Sequence, residues 1–289
     1  MDSPEARARG ERAHRIGVGV NFLLALMKIG GGLASGSTAL LADGYHSLAD
    51  LATNGIAWVS FRVAARPADD DHHYGHGKAE AAAGLFVGVI LIGTGLVVLY
   101  GSVMARGPVY EGFQGPVALA VAGVSIVANE WLVRVTRRSA DELSSTALSA
   151  LARDNRSDSL SSGLVIVGVT GGLFEVSWAE PVMTASIGVF IVIMGFHSAK
   201  ESLDILMDRV ADATMRDRIA LIAKEVSGVR GVQHVLIHPL GARQRVDMEI
   251  SVDADITVLA GHTIAHEVER EVLDQERQVI QVAVHVNPA

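Results

Sequence analysis

The chain of 289 residues contains no cysteine. Disulfides and thiolate metal sites are thereby excluded. Any metal must be held by nitrogen and oxygen, a donor set that disfavours Cu(I) and suits Zn(II), Mn(II), Fe(II), Co(II) or Ni(II). Charge is scarce as well: 19% of residues are Asp, Glu, Lys or Arg against 49% apolar, and mean hydropathy is +0.34. That is a membrane composition, and the lipid bilayer is the first partner it implies. A formal charge of −8, from 24 basic and 32 acidic side chains, argues against a nucleic-acid partner. No "HExxH" or comparable signature occurs. An intramembrane metal hydrolase would lack its general base, so an enzyme is not expected. The arm "MDSPEARARGERAHR" is too polar before its first apolar run to read as a cleaved signal peptide.

Apolar runs of spanning length, about 20 residues for an untilted helix, fall at 16–35, 40–61, 83–104, 116–135, 151–174 and 182–203. Six spans are expected. Arg7, Arg9, Arg12 and Arg15 precede the first, Arg62, Arg66 and Lys78 follow the second, and Arg134, Arg137, Arg138, Arg153 and Arg156 lie around the fourth connection. The alternate connections are nearly bare: "GGLASGST" and "FEVSWAE" have no Lys or Arg, and "ARGPVYEGFQG" has only Arg106. The positive-inside bias therefore places both termini in the cytoplasm of a multi-pass protein of the cell (inner) membrane.

Hydropathy drops after Leu206, which suggests a transmembrane domain over 1–208 and a cytosolic domain over 209–289. In the latter, "TMRDRIALIAKEVSG" has helical periodicity and a Gly stop. "VQHVLIHPL" and "RQRVDMEISVD" alternate like strands, "TVLAGHTIAHEVEREVLDQ" is helical, and "VIQVAVHV" alternates again. The expected order is αββαβ, with three strands and two helices on one face. So small a core benefits from a metal or a second subunit.

Polar residues inside the apolar runs point to chemistry. His46 and Asp50 are four residues apart in the second run, and Asp154 and Asp158 repeat the spacing in the fifth. Each pair shares a helix face. Because those spans run antiparallel, Asp50 should lie nearer Asp154 and His46 nearer Asp158, making a four-ligand, tetrahedral pocket for a divalent cation. A carboxylate at bilayer depth costs about 2.5–3.5 kcal/mol on insertion scales, so three of them with a histidine call for a neutralising cation. Asp43, one turn before His46, fits either a pore rim or solvation at a helix end. Lys28 is expected to snorkel or to pair with an acid inside the bundle, and Asn21 and Asn54 to make helix–helix hydrogen bonds. The loop "DDDHHYGH" is a dense acid and imidazole run in which Gly75 permits a tight turn.

"SGSTALLADGYHSLAD", "PADDDHHYGHGKAEAAA", the fifth-span Asp pair and "LMDR" together resemble the cation diffusion facilitators. These are six-span efflux transporters with a cytosolic metallochaperone-like domain of ferredoxin-like α+β type. The resemblance covers essentially the whole chain and implies a divalent metal efflux transporter, a metal/proton antiporter, working as a homodimer without an organic cofactor. It implies that His46, Asp50, Asp154 and Asp158 form the transport site and that Asp69, His72 and His76 form a second site, with His73 a bystander. His234, Asp247, His262 and His285 would form a third at a dimer interface. Asp247 stands where a histidine is usual and Asn287 where an aspartate is usual, while His238 and His266 have no counterpart and read as solvated. Lys78 and Asp208 match an interlocking salt bridge near the membrane surface.

His46 and Asp154 depart from the zinc members, which commonly have Asp and His at these positions; the fifth-span Asp pair resembles members associated with manganese. Zinc ranks first by resemblance, with Mn2+ and Fe2+ as competitors and Co2+ and Cd2+ as further candidates. Metal binding needs deprotonated ligands, so protons compete with it, and histidine is the side chain most suited to that exchange. A membrane-bound sensor that binds metal without moving it is the alternative.

Overall fold

A computed structural model describes residues 4–104, 110–143, 146–210, 212–241 and 243–289. Arg106 and the side chains of Arg7, Arg9, Arg12 and Arg15 lie outside the described residues. Six long helices come first: α1 (Pro4–Ser35), α2 (Thr38–Ala64), α3 (Ala79–Met104), α4 (Gln114–Leu143), α5 (Thr146–Leu173) and α6 (Ala179–Leu206). Among the described residues, four stretches are long and apolar enough to cross a membrane: Ile16–Ser35, Ala79–Met104, Gln114–Asp141 and Ala179–Leu206. Helices α2 and α5 do not meet that measure. Asp43, His46, Asp50 and Asn54 dilute the first, and Arg153, Asp154, Asn155, Arg156 and Asp158 the second.

The α1–α2 turn shows how local chemistry sets these boundaries. Gly36 adopts φ +71°, a left-handed conformation that ends α1 and that a Cβ would strain. Ser37 then caps α2, its Oγ accepting from the Leu40 N–H at 3.1 Å. The same hydroxyl donates to Oε1 of Glu180 at 2.7 Å, and that oxygen also accepts the Ala39 N–H at 3.2 Å. Glu180, in the first turn of α6 and 1% exposed, receives a further hydrogen bond from Tyr110. A buried carboxylate thus sits at the positive end of α2 with its oxygens satisfied. Elsewhere α3 and α6 touch backbone to backbone: a Cβ on Gly95 would lie 2.8 Å from the Gly188 carbonyl oxygen, and one on Gly195 2.8 Å from that of Gly88.

The C-terminal segment folds as α7 (Met215–Glu225), β1 (Val229–Leu240), β2 (Arg243–Val252), α8 (Val258–Gln275) and β3 (Val279–Pro288), the αββαβ order that the alternation predicts. Asp212 opens α7. Its carboxylate accepts from the Thr214 hydroxyl at 2.7 Å, the Thr214 N–H at 2.9 Å and Arg218 at 2.9 Å, which together hold its pKa down to about 2. The sheet order is β1-β2-β3, with β1–β2 antiparallel and β2–β3 parallel across the α8 crossover. Val246, Met248 and Ile250 alternate inward from β2 and pack against Ile219 and Ala223 of α7 and Val268 and Val272 of α8. This is a mixed α+β domain with both helices against one sheet face.

Contacts divide the chain into two compact units, Met1–Gly55 with Val87–His197, and Ile56–Phe86 with Ser198–Ala289. The division at Asp208 is one of composition. By contact, the polar α2–α3 connection groups with the C-terminal segment, where Gly77 lies directly against the Leu240 backbone.

Ile250 is fully buried. Its replacement by Ala should cost about 2–5 kcal/mol, read as faster hydrogen exchange of the β2 amides.

Candidate metal centre

His46, on α2, is 1% exposed. Its Nε2 lies 3.6 Å from Oδ2 of Asp50, one turn along the same helix, and 3.7 Å from Oδ1 of Asp158 on α5. Those separations are too long for hydrogen bonds, and both His46 nitrogens and Asp158 Oδ1 are buried without a protein partner. One donor atom from each of the three residues lies within 4.8 Å of the others. Ligand distances of about 2.0–2.2 Å in a tetrahedral site imply donor–donor edges of about 3.3–3.6 Å, so this spacing suits a shared cation with little adjustment. Phe190 packs edge-on against the imidazole, with ring centroids 5.8 Å apart, and limits its rotation.

Asp154 does not join this group. It stands one turn earlier on α5, roughly 6 Å along the axis, and is exposed. Asp43 is neither a pore rim nor a solvated helix end. It is fully buried, with Oδ2 3.0 Å from the Lys28 ammonium and accepting from Ser162 Oγ at 2.7 Å. Lys28, equally buried, also donates to Ser47 Oγ at 2.9 Å. A cation of α1 is thus neutralised by an anion of α2 beside the His46 cluster. Asn21 donates to Asn155 Oδ1 at 3.1 Å, a helix–helix hydrogen bond, whereas Asn54 lines the cavity next to Asp50 and Asp158.

The loop between α2 and α3 holds a second cluster, in which Asp69, His72 and His76 bring donor atoms within 4.8 Å of one another. Gly75, at φ +77°, turns the chain so that the His72 and His76 rings stack at 4.3 Å. Asp69 Oδ1 accepts the His72 N–H at 2.7 Å, and that bond holds its carboxyl below the usual carboxylate range. His76 approaches the Pro67 carbonyl oxygen through Nδ1 at 3.3 Å and Asp69 through Nε2 at 3.4 Å, leaving Nε2 on the cluster side. His73 turns away to the Asp70 carbonyl.

In the C-terminal unit the strand register reorders the expected ligands. His234 pairs with Glu249, and Glu249 with His285, so these three form one row across the outer face of the sheet. Asp247 lies in the neighbouring row, between Leu236 and Ala283, and bonds Arg245 at 3.0 Å. Glu249, which the sequence does not single out by any motif, lies between the two histidines in this row. His262 is exposed on α8, which packs on the opposite sheet face, and meets His266 edge-on with ring centroids 4.4 Å apart. Asn287 donates to Glu249 at 3.3 Å.

Lys78 and Asp208 pair at 2.9 Å, and Asp208 adopts φ +62° to do so. Nor is His238 a free surface side chain: its Nδ1 is 3.3 Å from Asp208 and its Nε2 3.5 Å from Asp247.

Side chains able to ligate a metal inside long helices, followed by a small α+β domain, fit a membrane protein that handles cations. Family models agree in both halves, a cation efflux transmembrane domain over residues 15–207 and a cation efflux protein cytoplasmic domain over 211–289. The chain belongs to the cation efflux family, the cation diffusion facilitators. It is similar to manganese efflux system protein MneP of Bacillus subtilis, 28% identical over 277 residues that cover 93% of this chain and 92% of that one. Magnetosome protein MamM of Paramagnetospirillum magneticum is 29% identical over 266 residues, 91% of this chain and 84% of MamM. Metal tolerance protein C1 of Arabidopsis thaliana is 29% identical over 295 residues; the match takes in 97% of this chain but 63% of that protein, less than two thirds of its length.

The Lys78 hydrogen bond holds the Asp208 carboxyl below its ordinary range. A depressed carboxylate contributes stability above its unfolded pKa, about 3.9, and loses it as pH falls through the folded value. The difference in melting temperature between wild type and Asp208→Asn should therefore hold steady from neutral pH down to the ordinary carboxylate range and vanish below it.

Proposed function

We propose that the chain is a divalent metal/proton antiporter that exports its cargo from the cytoplasm. The observation that carries this reading is the His46, Asp50 and Asp158 cluster at ligand spacing, in which both His46 nitrogens and one Asp158 oxygen are buried without protein partners. Metal enters from the cytoplasm, the helices rock to expose the site to the other side, and protons displace the metal because its ligands bind only when deprotonated. Asp154, one turn away, is the fourth ligand in the state where α5 shifts along α2.

One imidazole among carboxylates is an oxygen-rich set that suits Mn2+ and Fe2+ over soft ions, and MneP is named for manganese efflux. We take Mn2+ as the preferred cargo on these grounds. Zinc, first by resemblance, is the competitor to separate from it. The same reading gives six spans, cytoplasmic termini, a transmembrane domain over 1–208 and a cytosolic domain over 209–289 that pairs two copies. Leu236, 60% exposed in the row beside His234 and His285, supports such pairing. The Asp69, His72 and His76 loop is a second metal site, and the His234, Glu249 and His285 row a regulatory one completed by a second copy.

In proteoliposomes, Asp50→Ala or Asp158→Ala should abolish metal flux while leaving monodispersity and dimerisation unchanged; undiminished flux would sink the site. Uptake under an imposed pH gradient, with Zn2+, Mn2+, Fe2+, Co2+ and Cd2+ in competition, ranks the cargo. Metal binding without any flux in the wild type would identify a sensor instead.

A further inference from the structure

Asn129, on α4, is 1% exposed, and neither its carboxamide oxygen nor its nitrogen has a hydrogen-bond partner in the protein. A buried amide left unpaired destabilises a fold, and such groups are retained where function needs them. Asn129 faces a cavity that it shares with Asp50, Asp158, Asn54, Asn21 and Lys28, with free space of about 10 Å3. That volume admits about one water molecule or one small ion. The two cavity carboxylates balance one dication, and the third acid nearby, Asp43, is already neutralised by Lys28. A neutral oxygen is the one donor that adds coordination without adding charge, which leaves the ion free to depart.

Resting on the transport reading, we propose that Asn129 is a specificity-determining contact of the cargo, its Oδ1 facing the ion or a water the ion retains. Zn2+ is satisfied by four donors, whereas Mn2+ takes a larger oxygen shell. The amide therefore favours Mn2+ over Zn2+.

Metal titration of the purified full-length protein by calorimetry tests this. Asn129→Leu should weaken Mn2+ binding by about tenfold or more while Zn2+ affinity changes by less than about threefold. Its melting temperature should be no lower than that of wild type, since an orphaned polar group has been removed. Asn129→Asp adds a charged donor, so it should tighten both metals and slow flux. If Asn129→Leu leaves both affinities unchanged or shifts them equally, the assignment is wrong. Should the leucine variant fail to fold, unchanged affinity in Asn129→Asp overturns it equally. Asp158→Ala separates the two levels: if it abolishes binding while Asn129→Leu is silent, only the present inference fails, and if it too is silent, the transport site itself is lost.

Discussion

Charge without water governs this fold. His46, Asp50, Asp158, Asp43 and Lys28 occupy helices that otherwise bury apolar surface, and each must find its compensation among the others or in a bound ion. The chain separates the two solutions. Lys28 and Asp43 pair directly at 3.0 Å, with Ser47 accepting from the ammonium and Ser162 donating to one carboxylate oxygen. Removing one partner of such a pair costs about 3–5 kcal/mol because the other is left uncompensated. His46, Asp50 and Asp158 stop short of one another, at distances that favour an intervening cation over direct bonding. The first group ties α1 to α2 through an ion pair and reaches α5 only through the Ser162 hydroxyl, while the second is left unsatisfied.

The same economy explains the apolar measure of the helices. Those that carry His46, Asp50 and Asp158, α2 and α5, fall below the apolarity of the other four, and so need neighbours to shield them. Helices α3 and α6 pack through glycines at backbone contact. In the C-terminal unit, His234, Glu249 and His285 lie on the solvent side of a sheet whose other side is closed by α7 and α8. The His and Glu row therefore costs the core nothing.

Much of this was legible in the sequence because its signals are local. The helix count, the αββαβ order and the loop trio follow from periodicity, alternation and the tight turn at Gly75. What escaped is relational. The spacing of Asp154 and Asp158 says that they share a face, yet how far α5 sits along α2 decides that only Asp158 meets His46. Register across the sheet depends on irregularities between Val232 and His234 and between Gln244 and Arg245; these put Glu249, not Asp247, between the two histidines. Lys28 and Asp43 lie on different helices and become adjacent only where α1 packs on α2, so the pattern along α2 alone leaves Asp43 open between a pore rim and a solvated helix end. Asn129 had no motif around it, and only the lack of a partner in the folded chain singles it out.

Glu180 carries a mechanical consequence. One of its oxygens grips the first residues of α2 from the head of α6, and the other is held by Tyr110. For α2 to slip against α6 at that end, the carboxylate would have to shed several donors at once with no solvent to replace them. The helix that carries His46 and Asp50 is therefore yoked to α6, and on the transport reading a stroke that exposes the ion would swing the two as one lever.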